Sequence, residues 1–274
     1  MKCVAYLSEE LEKCDVPYAL LKGAYLCHWY PSGCRTSNDV DVLVSQEDVT
    51  ALSMHFRSLG FVQGFVKNDT FIPAVRYQII ESKMMRGETV PFIREMRMPF
   101  VKYLEVDLNF SLDYKNGDDD MVKKLLSQTE QVNSGDALIR TLCSTDFLLH
   151  ICAHLYKEAT TIPWIRMKRD MTFYKYCDIY ALLQALNEEQ VKKLLQRATE
   201  VNLTKELAYC LMAVYEFWGL SSTPLKDYLF ACNHEQLNEV VDPSEKRTYS
   251  YTVTSPWGRL FAENRVELLQ EVEV

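Results

Sequence analysis

The chain has 274 residues, 48% hydrophobic and 25% charged, the proportions of an ordinary globular protein with room for one large or two modest domains. No window reaches a transmembrane length of apolar residues, and the opening MKCVAYLSEELEKC meets Glu and Lys before a signal-peptide core forms, so a cytoplasmic protein with no membrane partner is expected. A formal net charge of −8 argues against a partner as extended as long nucleic acid, and nine scattered cysteines with no C-x-x-C pair indicate neither a disulfide framework nor a zinc ribbon.

In chain order, Val4, Leu7 and Leu11 recur at helical spacing until Asp15 and Pro17, which predicts a helix within 1–14. Tyr18 to Leu21 reads as a short buried strand running into Lys22-Gly23, Ala24 to Tyr30 as a short helix stopped by Pro31, and 31–38 as a loop of turn formers. A strand follows over 39–44, then Ser45 as the N-cap of a helix reaching about Gly60. Residues 61–66, 77–81 and 103–110 read as strands, while 84–100 fits either a strand pair or an irregular loop. Asn116 to Asp120 reads as a solvated turn opening a short helix, and 136–142 as a closing strand. Beyond Ser144 the apolar period lengthens to that of helices over 145–157, 173–186, 188–201 and 205–217. From about Asp242 a tail begins in which 247–253 alternates like a strand until Pro256 and Trp257. The expected fold is thus α/β: a mixed-sheet domain over 1–142, followed by a mainly helical substrate-binding domain over 143–274.

The chemistry is signalled by RTSNDVDVLV, residues 35–44. Strand side chains alternate, so Asp39 and Asp41 share one face about 6.5–7 Å apart while Val40 and Val42 take the other. Unpaired carboxylates in an apolar strand cost several kcal/mol, and a cation offsets that better than packing does. KYLEVDLNF, residues 102–110, repeats the anomaly with Glu105, Asp107 and Asn109 on one face, and Asp107 is the candidate third carboxylate. Upstream, Lys22-Gly23-Ala24 sits at a strand-to-helix turn, where backbone N–H groups and a helix dipole favour a phosphate.

These residues carry a resemblance. Leu21-Lys22-Gly23-Ala24, Tyr30-Pro31, Arg35 to Val44, Val106-Asp107-Leu108 and Leu148-Leu149 leading to His154 resemble the polymerase-β-like nucleotidyltransferases, and specifically the bacterial family labelled uncharacterised nucleotidyltransferase, over about residues 16–185. The resemblance implies a polymerase-β-like mixed sheet with a C-terminal helical domain. It also implies transfer of a nucleoside monophosphate from a nucleoside triphosphate to a hydroxyl of a small molecule or of a peptide or protein, releasing pyrophosphate. Asp39, Asp41 and Asp107 would bind Mg²⁺ or Mn²⁺ and act catalytically, and Lys22, Gly23, Ala24 and Arg35 would hold the triphosphate. Ala24 stands where the wider superfamily has Ser, and Lys22 would supply the missing phosphate contact. The alternative is a nucleotide-binding regulatory or toxin–antitoxin-type protein that uses the fold mainly to bind a partner.

In the helical half, His150 and His154 share a helix face without the Glu of a zinc protease motif. His154 is a substrate contact or a packing residue. Arg166 and Lys168, in the basic aromatic stretch WIRMKRDMTFYKYCD, are an anionic-substrate wall or a solvated face. Asp178 is a substrate contact or a structural ion-pair partner.

Overall fold

The computed structural model describes residues 2–31, 33–98, 101–112, 119–134, 137–233 and 235–272. The chain divides into two units, Met1–Phe147 and Leu148–Val274.

The first unit opens with α1 (Lys2–Leu11), which buries Val4, Leu7 and Leu11 on one face. Then come β1 (Tyr18–Leu20), α2 (Gly23–Leu26) with a 3₁₀ turn after it, β2 (Val40–Val44), α3 (Val49–Ser58), β3 (Val62–Lys67), β4 (Thr70–Pro73), α4 (Arg76–Met85), β5 (Phe92–Met98) and β6 (Val101–Asn109). Helix α5 (Asp119–Leu126) and the hairpin of β7 (Thr129–Ser134) and β8 (Ala137–Leu142) complete the unit. Six strands form one sheet in the order β1-β2-β6-β5-β3-β4. Only β2 and β6 run parallel; every other adjacent pair is antiparallel. All five residues of β2 are buried, as expected of a strand covered on both faces and composed of Val and Leu around a single Asp. Phe56 of α3 packs at a tilt against Phe61 and Phe92, each with ring centroids 5.4 Å apart, and so pins α3 to the sheet. The β7–β8 hairpin stays outside the six-stranded sheet but is tied to β1, since the Thr141 hydroxyl donates to the Leu20 carbonyl at 2.6 Å.

Two local expectations change, and one left open is settled. Residues 77–81 are helical, within α4: Pro73 ends β4, the Gln78 side chain accepts the Val75 N–H at 3.0 Å, and Tyr77 reaches Glu81 one turn on at 3.1 Å. Ser45 does not cap α3; its hydroxyl donates to Asp48 at 2.6 Å, and Asp48 is the residue that precedes the helix. Residues 92–98 are a strand, paired with β6 and bulged between Glu95 and Met98. The expected turn at Asn116–Asp118 lies outside the described residues, and Asp119 and Asp120 open α5.

Helix α6 (Ser144–Ala159) begins at the end of the first unit and leads into the second. The second unit continues with α7 (Ile162–Arg166), α8 (Phe173–Gln184), α9 (Glu188–Glu200), α10 (Thr204–Trp218), α11 (Thr223–Ala231), β9 (Glu239–Asp242), β10 (Arg247–Tyr251), α12 (Pro256–Leu260) and β11 (Leu269–Glu271). Asn187 caps α9, accepting the Gln190 N–H at 2.9 Å while Gln190 accepts the Asn187 N–H. The three strands form an antiparallel sheet in the order β11-β10-β9 whose Val240 and Tyr251 pack on Ile162 and Ile165 of α7. Arg265 closes a bidentate ion pair on the fully buried Asp170, at 2.7 and 2.9 Å. Arg259, also buried, donates to the carbonyls of Val253 and Thr254 and to Asn238, and stands 4.2 Å above the Tyr251 ring. Among the described residues no helix is long and apolar enough to cross a membrane. An α/β sheet followed by a helical half is the class expected from the sequence.

Candidate active site

The parallel pairing of β2 with β6 puts Asp41 opposite Asp107 in register. Residues in register on neighbouring parallel strands face the same way and stand about 5 Å apart, so the two carboxylates share one face of the sheet. Strand β1 lies on the other side of β2, and the chain leaves it at Leu21, whose N–H donates to the Asp41 carbonyl at 2.9 Å. The next residue, Lys22, therefore projects beside Asp41, and its Nζ lies 2.7 Å from Asp41 Oδ1. Asn109, two residues after Asp107, donates its Nδ2 to the same oxygen at 3.2 Å.

The two carboxylates differ in satisfaction. Asp41 is buried and held by Lys22 and Asn109. Asp107 has a buried Oδ1 with no hydrogen-bond partner. Desolvation, then the charges of Asp41, Glu88 and Asp39, push the Asp107 carboxyl well above the ordinary range, against a smaller opposing pull from Lys22. At Lys22 desolvation acts downward, but Asp41, with Asp39 and Glu88 behind it, outweighs it and holds the ammonium above its usual range. Glu105 is raised by desolvation and by Asp39.

Asp39 lies just ahead of β2, half-buried, and accepts the Ser37 hydroxyl at 2.8 Å. Ser37 packs on the turn after β1 so closely that a Cβ on Gly23 would lie 2.3 Å from the Ser37 Cβ. Glycine is needed there for close approach of the Ser37 loop. The Ala24 N–H donates to the Leu21 carbonyl at 3.2 Å, and the Lys22 carbonyl accepts from Tyr25 and Leu26 at 3.1 and 2.7 Å. These bonds hold Lys22 at φ 44°, ψ −118°, a conformation that costs a non-glycine residue about 1–3 kcal/mol. Arg35 is half-buried and donates to the Thr36 carbonyl.

Glu88 was not singled out in the sequence. It reaches the site through a single bridge to Asn109, and its charge acts on both Asp107 and Lys22. No local signal marks it, because the bridge joins an irregular segment to the end of β6.

For a divalent cation the donors are of the right kind, hard carboxylate oxygens, and Asp107 Oδ1 is a buried acceptor lacking a partner. Among the described residues, no three Asp, Glu, His or Cys side chains are grouped so as to hold a metal ion by themselves. Such an incomplete set suits Mg²⁺, which is commonly held by one or two carboxylates, waters and substrate phosphates. The residues fit the ion on that basis.

The remaining expected residues lie in the second unit. His154 Nδ1 is 3.6 Å from Glu158 Oε2, one turn along α6, and Glu158 is also bound by Lys175. Arg166 Nη2 is 3.8 Å from the buried Asp242. Lys168 is exposed at φ 58°, and Asp178 is buried on α8. His154 and Arg166 thus engage different carboxylates.

Residues 2–219 match the family described as uncharacterised nucleotidyltransferase, and the chain belongs to that family. It is accordingly a nucleotidyltransferase, as the motifs around Lys22, Asp39, Asp41 and Asp107 implied. Among solved structures, it is similar to an antigenic nucleotidyltransferase-like protein from Paracoccidioides brasiliensis, with 13% identity over 73% of this chain and 89% of that one and a TM-score of 0.41. It is also similar to the antibiotic-resistance factor ANT(2″)-Ia, with 10% identity over 74% and 93% of the two chains and a TM-score of 0.35. No curated protein matches it significantly.

Proposed function

We propose that the protein moves a nucleoside monophosphate from a nucleoside triphosphate to a hydroxyl of a small molecule or of a peptide or protein, with Mg²⁺ or Mn²⁺, in the cytoplasm. The observation that carries this reading is the in-register Asp41–Asp107 pair, one member neutralised by Lys22 and the other with an unpartnered buried oxygen.

Asp107, whose buried Oδ1 has no hydrogen-bond partner, takes the proton of the acceptor hydroxyl. The acceptor oxygen bonds to the α-phosphorus, the bond from that phosphorus to the oxygen bridging the β-phosphorus breaks, and pyrophosphate leaves with the electron pair. Lys22 counters charge on the departing phosphates, assisted by Gly23 and Arg35 along the triphosphate, whereas the Ala24 N–H expected to join them is turned onto the Leu21 carbonyl. Asp41 and Asp107, with Asp39 just ahead of the strand, would hold a divalent ion jointly with waters and the substrate phosphates, and the ion would supply charge neutralisation at the reacting phosphate. Residues 143–274 serve as the substrate-binding domain, with His154, Arg166, Lys168 and Asp178 as acceptor contacts. A net charge of −8 favours a small or peptide-borne acceptor over long nucleic acid.

The test is incubation with each labelled nucleoside triphosphate, Mg²⁺ or Mn²⁺ and a lysate of the source cell, reading pyrophosphate and labelled product. Release with one nucleotide, lost in Asp41→Asn, is the expected result. No pyrophosphate with any nucleotide would turn the reading to the regulatory or toxin–antitoxin alternative, which the engaged Ala24 N–H supports.

A further inference from the structure

We infer that Lys22 is the resident counter-ion of the acidic pair and that it competes with the divalent cation for Asp41, so that metal enters well only together with the nucleoside triphosphate. The inference rests on the metal-dependent reading above.

Three observations lead to it. Lys22 Nζ is in direct contact with Asp41 Oδ1 at 2.7 Å, with Asn109 on the same oxygen, so an ion binding that oxygen meets a positive charge already seated there. The described acidic residues form no group of three able to hold a metal alone, so an ion that meets Lys22 at Asp41 gains no complete set of protein ligands in exchange. The chain also keeps a lysine, rather than glycine, at φ 44°, ψ −118°, which fixes the root of the side chain beside Asp41.

The charge balance follows. In the resting site the Lys22 ammonium offsets the acidic charge gathered around Asp41. If Lys22 let go for an ion alone, its ammonium would lose a mostly buried partner, Asp41 being 4% and Lys22 20% exposed. When the triphosphate arrives with the ion, Lys22 swings on its flexible four-carbon stem from Asp41 to the β- and γ-phosphates and keeps a partner throughout. One residue thereby guards the metal site and receives the nucleotide.

The experiment measures Mn²⁺ binding by electron paramagnetic resonance, with and without a triphosphate whose α,β-bridge cannot be cleaved, in wild type, Lys22→Met and Asp41→Asn. Without nucleotide, Lys22→Met is expected to bind Mn²⁺ at least about tenfold more tightly than wild type. With the analogue, the wild type gains affinity and the gap narrows. In the unmodified protein, amine acetylation read peptide by peptide should label Lys22 several-fold faster at saturating Mg²⁺. Equal or weaker Mn²⁺ binding by Lys22→Met, or Lys22 acetylation unchanged at an Mg²⁺ concentration that fills the nucleotide-free site, overturns the inference. If Asp41→Asn still loses Mn²⁺ in that case, the metal-dependent reading stands without it; if no variant binds Mn²⁺ even with the analogue, both fall. Should Lys22→Met fail to fold, the acetylation of wild type decides.

Discussion

Asp41 and Asp107 are opposite one another in parallel register, yet one is held by two donors and the other has a buried oxygen with none. Like charges in register are unfavourable, and a structural role would not explain leaving Asp107 unsatisfied. The inequality sets the first expectation. Asp41→Asn and Asp107→Asn should each lower turnover roughly 10²–10³-fold while the circular dichroism spectrum is unchanged, because each removes charge the reacting centre needs. Turnover within a few-fold of wild type for either variant would exclude that carboxylate from the chemistry.

The acid side of the stability profile tests Asp107 separately. Its folded carboxyl binds a proton more readily than the unfolded chain, where Asp titrates near about 3.9. Stability from this group is therefore fully present below the unfolded value and is lost as pH rises through the higher folded value. Relative to Asp107→Asn, wild type should gain thermal stability as the pH falls through the folded value toward the unfolded one. Parallel melting curves for the two proteins across that window would rule the effect out.

Gly23 is tested by its neighbour. A methyl there would meet Ser37 at 2.3 Å, so Gly23→Ala should destabilise by about 1–3 kcal/mol and displace the Ser37 that bonds Asp39. Gly23→Ala with Ser37→Gly should recover most of the stability, measured by urea unfolding. If the double variant is no better than the single, the contact is not the reason for the glycine.

In the second unit, Asp170→Ala leaves Arg265 at the end of a broken buried pair and should cost about 3–5 kcal/mol in urea unfolding. Replacing both residues with apolar ones of similar size should cost less. Equal costs would mean that Arg265 finds another partner.

The acidic motif was legible because a carboxylate inside an apolar strand violates a local rule, and both Asp41 and Asp107 do so. What they meet was not legible. The Lys22–Asp41 contact depends on β1 lying beside β2, and Glu88 depends on a bridge to Asn109, neither of which leaves a mark at short range. Periodicity found α6, α8, α9 and α10, whose buried faces are long enough to repeat. It misread Tyr77–Glu81, where Ile79 and Ile80 favour a strand but Gln78 holds the start of a helix. Helices α7 and α11 were missed although each begins with Pro at its first or second position, after Thr161 and Ser222, a start signal that could have found them.

The family match ends at residue 219, but the packing of the helical unit does not. Asp170, well inside the matched region, has its charge answered by Arg265, and Ile162 and Ile165 are covered by Val240 and Tyr251. A protein trimmed to its homologous segment would expose that apolar face and strand a buried anion, so the edge of shared ancestry is a poor guide to where this chain can be cut.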